Sequence, residues 1–179
     1  RSNLLWVCSQ AAEFFERVLW SDTPAGDRGR RYLKERGISK ESARAFQLGL
    51  APPEWDAFLD FAQAQKIPLQ ALLELGLCRS KDGRPPYPFF RDRLMLPIRD
   101  GQGRVIGFGG RCLDGEGPEY MNSSELAGLY EKRRVLYGLD RARKARAKRL
   151  VVVEGYMDVV LPHQAGRSEF VAALGTAFT

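Results

Sequence analysis

The sequence holds 179 residues, 44% of them hydrophobic and 11% aromatic, enough for one large domain or two small ones and too apolar for a disordered chain. Its 28 basic and 22 acidic side chains leave a net charge of +6, and no apolar run approaches the roughly 20 residues of a membrane span. Cys8, Cys78, Cys112 and the single histidine, His163, are too scattered for a disulfide framework or a four-ligand zinc site, so reduced thiols in a cytoplasmic protein are expected.

In chain order, Leu4, Cys8, Ala11, Phe15 and Val18 recur at helical spacing and predict a first amphipathic helix. Residues 21–26 are turn-rich, a short helix is expected over 27–36, and Ser39 is placed to cap another over 40–46. After Pro52 and Pro53, Trp55, Phe58, Leu59 and Ala62 predict a helix in which the tryptophan packs, and a further helix over 68–75 stops at Gly76. The pattern then changes: 93–99 and 104–108 flank the turn sequence DGQG and predict a hairpin. A basic helix is expected over 136–148. Apolar runs at 150–153 and 170–174, with a helix over 157–163 between them, predict a parallel sheet covered on both faces. The second of these strands is expected to leave an unpaired apolar edge. The fold class is therefore mixed α/β. The chain begins at Arg1 with no leader-like stretch, and it reads as part of a longer protein.

Charge is unevenly spread. Residues 132–149 contain nine basic side chains and one acid, a local +8, so the remainder is slightly acidic. Such a run is either a polyanion-binding surface or a solvated helix face. Glu154 ends an apolar strand, where open α/β sheets place ligands, and Asp158 follows it in the first turn of a helix. Two acids there suit a magnesium ion shared with phosphates; the alternative is an Asp158 that only complements the helix N-terminus. Arg91, Arg93, Arg99, Arg104 and Arg111 crowd the hairpin, with Arg91, Arg93 and Arg99 expected on one face. Gly107, Gly109 and Gly110 either admit a phosphate or base close to the backbone or mark a bulged edge. Tyr120 and Asn122 either stack on and hydrogen-bond a base or belong to an ordinary half-buried segment.

Several ordered motifs carry a resemblance to a known family. RDRLMLPI (91–98), GRVIGFGGR (103–111), YMNS (120–123), LYGL (136–139), VVEGYMD (152–158) and LGT (174–176) resemble the catalytic core of bacterial DnaG-type primases. YLKERGI (32–38) and GLAPPEW (49–55) resemble the helical part that precedes the hairpin in that core. The resemblance implies an N-terminal core subdomain over 1–130 and the beginning of a Toprim domain over 131–179. It implies a DNA-directed RNA polymerase that makes short RNA primers on single-stranded DNA by metal-dependent nucleotidyl transfer. Glu154 matches the Toprim glutamate, with a catalytic and metal-binding role, and Asp158 the nearby metal-binding aspartate. Arg36, Arg111 and, across a one-residue offset, Lys132 match basic template- and nucleotide-binding residues.

The same resemblance implies Mg2+ or Mn2+ in a complete Toprim domain, with further metal-binding aspartates after residue 179. It places zinc only in a separate upstream domain and a replicative helicase on a downstream one. Single-stranded DNA and ribonucleoside triphosphates are the implied partners, with no membrane association, and the 179 residues alone are expected to make little primer. The sequence departs from the family at Glu119, where a lysine is usual; a carboxylate there repels phosphate. Rival expectations are another Toprim enzyme, such as a topoisomerase or nuclease, a non-catalytic single-strand-binding module, and a protein-interaction segment using its basic run.

Overall fold

The computed structural model describes residues 2–174 apart from 82, 126 and 130. Helix α1 (Ser2–Leu19) forms because Val7, Cys8, Ala11, Ala12, Phe15 and Leu19 fall on one buried stripe. Helix α2 (Pro24–Glu35) starts three residues earlier than its apolar pattern suggests: the Thr23 hydroxyl accepts from the Gly26 N–H at 3.1 Å, and Pro24 occupies the first turn. Ser39 caps α3 (Lys40–Ala45) as expected, accepting from the Ser42 N–H at 3.1 Å. Helices α4 (Ala57–Ala64) and α5 (Leu69–Glu74) follow strand β1 (Gly49–Ala51).

Strands β2 (Cys78–Arg79) and β3 (Tyr87–Pro88) form a small antiparallel ladder. The expected hairpin is present as β4 (Arg93–Arg99) and β5 (Val105–Cys112), longer at its second strand because Gly109, Gly110, Arg111 and Cys112 continue the pairing. With β6 (Tyr120–Asn122) they complete an antiparallel sheet in the order β1-β4-β5-β6. A register shift separates Ile98 from Arg99. Both faces of this sheet are buried. Met95 and Phe108 meet α1, α4 and α5 on one side, where Phe15 stacks on Phe58 at 5.2 Å and meets Phe108 edge-on at 5.6 Å. Leu94, Leu96 and Ile98 meet Tyr32, Phe46 and the last third of the chain on the other.

That last third corrects three expectations. The basic segment is not one helix: β7 (Leu136–Tyr137) comes first, Gly138 turns at φ +86°, and α6 covers only Leu139–Lys144. Strands β8 (Val151–Val153) and β9 (Phe170–Ala173) pair in parallel around α7 (Met157–Gln164), as the apolar runs predict. However, β9 is the middle strand of the order β7-β9-β8, paired on both sides, so no edge is left there. The second face of β8 is not covered among the described residues; Leu150 and Val152 are exposed. All three cysteines are free and buried.

Candidate functional site

Alternation puts Gly109 and Arg111 of β5 on one face of the sheet, opposite Asn122 and Tyr120 of β6. Helix α2 crosses that face. Its Tyr32 hydroxyl accepts from Arg111 Nε, and one turn on, the Arg36 guanidinium lies 5.1 Å from the Tyr32 ring centre. The Arg111 guanidinium sits 5.0 Å from the Tyr120 ring and pairs with the carboxylate of Glu119. The ion pair is asymmetric: the Arg111 side chain is 13% exposed and that of Glu119 69%. Burial opposes the Arg111 charge, yet hydrogen bonds to Tyr120, Glu119 and Tyr32 outweigh it and raise the pKa. Burial also raises the Tyr120 pKa, against the pull of Arg111.

The opposite half of the chain reaches the same face through Tyr156. Its ring enters the space that Gly109 leaves open, where a Cβ would lie 2.6 Å from the phenol carbon Cζ. The Tyr156 hydroxyl donates to Asn122 Oδ1 at 2.7 Å, and its ring lies 5.3 Å from Tyr120 and 4.8 Å, edge-on, from Tyr137. Arg36, Arg111, Tyr120 and Asn122 are thus brought together, joined by two tyrosines that sequence reasoning did not single out. Tyr32 carried one usable signal, its position four residues before Arg36 on a helix.

Glu154 and Asp158 flank Tyr156 in sequence and are both exposed. Glu154 follows the end of β8, and an Asp158 carboxylate oxygen folds back to 3.0 Å from where Gly155 would carry a Cβ. Tyr156, anchored as described, therefore hangs this acidic turn beside the Arg111 face. Among the described residues no group of three or more His, Cys, Asp and Glu side chains gathers. Two exposed carboxylates, as hard oxygen donors, fit a divalent ion that completes its shell with water and phosphate oxygens.

The remaining hairpin arginines do not form one cationic face, because each is held by different partners, Arg104 by the Asp100 carboxylate at 2.7 Å. Arg93 is 6% exposed and donates to the Gly110 and Pro118 carbonyls at 3.1 and 2.8 Å. Arg99, beyond the register shift, donates to the Gly103 carbonyl at 2.6 Å and to Gln47. Arg91 lies before the strand. Its Nε and one terminal nitrogen donate to the Pro53 carbonyl at 2.9 and 2.7 Å, and its guanidinium covers the Trp55 ring at 3.5 Å. Trp55 does not pack inside: it is 57% exposed and meets Tyr87 edge-on at 6.0 Å. A half-exposed indole under a guanidinium is a stacking platform that its helix-like spacing concealed. Lys132 begins a single 3-10 turn (Lys132–Arg134), with its backbone N–H donating to Glu125. Of the basic run, Arg141 is engaged internally, donating to the Ala45 carbonyl at 2.9 Å above the Phe46 ring. Gly175 and Thr176 of the LGT motif lie outside the described residues.

Comparison with known proteins finds relatives in both sequence and fold. Residues 14–143 match the family model described as DNA primase catalytic core, N-terminal domain. A DNA primase of Synechococcus elongatus is 45% identical over 184 residues, covering 100% of this chain and 26% of the relative. That of Escherichia coli is 45% identical over 181 residues, covering 100% and 31% respectively. The chain therefore spans between a quarter and a third of these curated relatives. Among solved structures, a DnaG primase catalytic domain bound to single-stranded DNA superposes with TM-score 0.91 at 41% identity, covering 100% of this chain and 57% of that one. The E. coli primase catalytic core superposes with TM-score 0.90 at 42% identity, covering 98% of this chain and 56% of that one.

Proposed function

Because the chain belongs to the family of the DNA primase catalytic core, N-terminal domain, we propose that it grips single-stranded template and holds nucleotides beside the carboxylates of a primer-synthesising site. The observation that carries this reading is the continuous contact from Arg36 through Tyr32, Arg111 and Tyr120 to Tyr156, which sets a cationic, aromatic face next to Glu154 and Asp158. A topoisomerase or nuclease, or a module without a catalytic role, has no comparable support, since the family match and the relatives above are primases.

Each residue type suits its task. Arg36 and Arg111 supply planar donor arrays for phosphate oxygens. Tyr120 is half-buried beside Tyr156 and suits contact with a base edge, while Trp55, exposed beyond its contact with Arg91, suits stacking. Lys132 adds a further basic side chain, and Arg93 positions the β5 backbone from within the core. Glu154 and Asp158 would hold a magnesium or manganese ion, which supplies charge stabilisation at a transferring phosphate. Glu154 in addition would accept or hold the proton of an attacking hydroxyl. Ribonucleoside triphosphates as substrates, a replicative helicase as partner through a domain outside this chain, and a cytoplasmic setting all rest on family membership.

The test is fluorescence anisotropy of labelled single-stranded DNA against the full chain across a salt series, with Arg36→Ala and Arg111→Ala beside the parent. Affinity should fall steeply with salt, and each substitution should flatten the log–log slope by about 0.7, one phosphate contact on a single strand. Equal binding by both variants at every salt would remove Arg36 and Arg111 from the interface.

A further inference from the structure

A cleft of about 960 Å³ lies between α1, α2 and the 52–61 segment, away from the Arg111 face. Its volume is at the upper end of the range for small-ligand sites. The bed is apolar and aromatic: Phe14 stacks on Phe61 at 4.6 Å, with Val18, Pro24 and Pro53 alongside. Three arginines, Arg17, Arg28 and Arg31, stand around it. The Arg17 guanidinium lies 5.4 Å from the Phe61 ring, Arg28 is paired with Asp92, and Arg31 is exposed with no ion pair among the described residues. Of the two acids on the rim, Asp27 is already paired with Arg30.

The cleft is continuous with the Trp55 platform. Pro52, Pro53 and Glu54 form one of its walls, the next residue is Trp55, and Arg91 ties the two by covering Trp55 while donating to the Pro53 carbonyl. An occupant that leaves the Trp55 stack in this direction meets aromatic rings below and guanidinium groups at the rim. Unpaired bases with their phosphates present that combination; duplex bases are buried in their own stack and cannot reach an apolar bed.

We infer that this cleft is a second stretch of the single-strand path, taking one or more unpaired bases on Phe61 and Pro53 with the flanking phosphates at Arg17 and Arg31. The inference rests on the template-gripping reading above and extends it to residues which that reading leaves without a role. It also explains why Arg17 and Arg31 point outward beside an aromatic surface rather than toward acidic partners.

The experiment uses the full chain with thymidine oligomers of graded length, one series carrying a single 5-iodouracil for photo-crosslinking. Arg17 and Arg31 are exposed, so the double variant Arg17→Ala/Arg31→Ala should melt as the parent does. It should bind long oligomers several-fold more weakly, with a salt slope flatter by about 1.4, two single-strand phosphate contacts, while short oligomers that fill only the Trp55 platform bind unchanged. The crosslinked peptide should contain Phe61. If the double variant binds every length as the parent does while Trp55→Ala and Arg111→Ala weaken binding, the strand does not enter the cleft and the template reading survives. A loss of affinity with no crosslink within the 52–61 segment would equally overturn the base-lodging claim. If Trp55→Ala and Arg111→Ala also bind normally, the template reading fails and the cleft inference falls with it.

Discussion

Replacing Gly109 with alanine tests the joint between the two halves of the molecule. The added Cβ would sit 2.6 Å from both Cζ and the hydroxyl oxygen of Tyr156 and 3.0 Å from its Cε2. Atoms in ordinary contact stand about 3.5–4.0 Å apart, so the ring must retreat by about 1 Å. It has nowhere to go, because Tyr120 lies 5.3 Å and Tyr137 4.8 Å from it, and Tyr156 is buried. Overpacking a filled core costs about 1–3 kcal/mol, and losing the Tyr156–Asn122 hydrogen bond adds about 0.5–1.5 kcal/mol. The reduced freedom of alanine in the unfolded chain returns about 0.4–1 kcal/mol. The net is a loss of about 2–3 kcal/mol, a fall in Tm of about 4–12 °C for a chain of this size. Urea unfolding and thermal melting measure it. In a Tyr156→Ala background the same glycine substitution should be nearly neutral, since the obstructing ring is gone. Equal destabilisation in both backgrounds would refute the packing argument.

Two further predictions follow from charges and thiols. Glu119→Gln frees Arg111 from its only charged partner among the described residues. Exposed pairs are worth about 0.2–1 kcal/mol, so single-stranded DNA should bind up to about fivefold tighter, with a salt slope steeper by about 0.7, read by anisotropy. Burial pushes the Cys8 and Cys78 thiols from 9.0 up to about 12, so the folded chain holds protons that the unfolded chain releases. Their contribution to stability should be complete below pH 9 and lost as pH rises from 9 toward 12. Urea midpoints across that range, with iodoacetamide labelling of the native chain at pH 8 remaining slow at both thiols, check it.

The elements were legible where periodicity was strong. The stripe of Val7, Ala11 and Phe15, the caps at Ser39 and the turn sequence between β4 and β5 all state their structure locally. Strands β1, β2, β3 and β7 have two or three residues each, too few for a period, and exist because neighbours pair with them. The placement of β9 between β7 and β8 is likewise a long-range fact, since its antiparallel partner Leu136–Tyr137 looked like the start of a helix. At the site, residue types and spacing point to Glu154 and leave Tyr120 between two readings, and the family resemblance adds Arg111. Residue types alone could not separate Arg93, spent on the Gly110 and Pro118 carbonyls, from Arg91, spread over an exposed ring. Tyr156 was invisible for a different reason: its role depends on a glycine 47 positions earlier in the chain.

The fit of Tyr156 over Gly109 makes the hairpin's pairing a condition for assembling the rest. A one-residue slip between β4 and β5 would turn Phe108 toward the face now lined by Gly109, filling the room the tyrosine needs. The Val159, Val160 and Ala172 core would then lose its foothold on the first sheet, and the turn bearing Glu154 with it. Folding thus proofreads itself: a molecule whose first sheet has closed in the wrong register cannot display its carboxylates beside the arginines, and errors in one half silence the other.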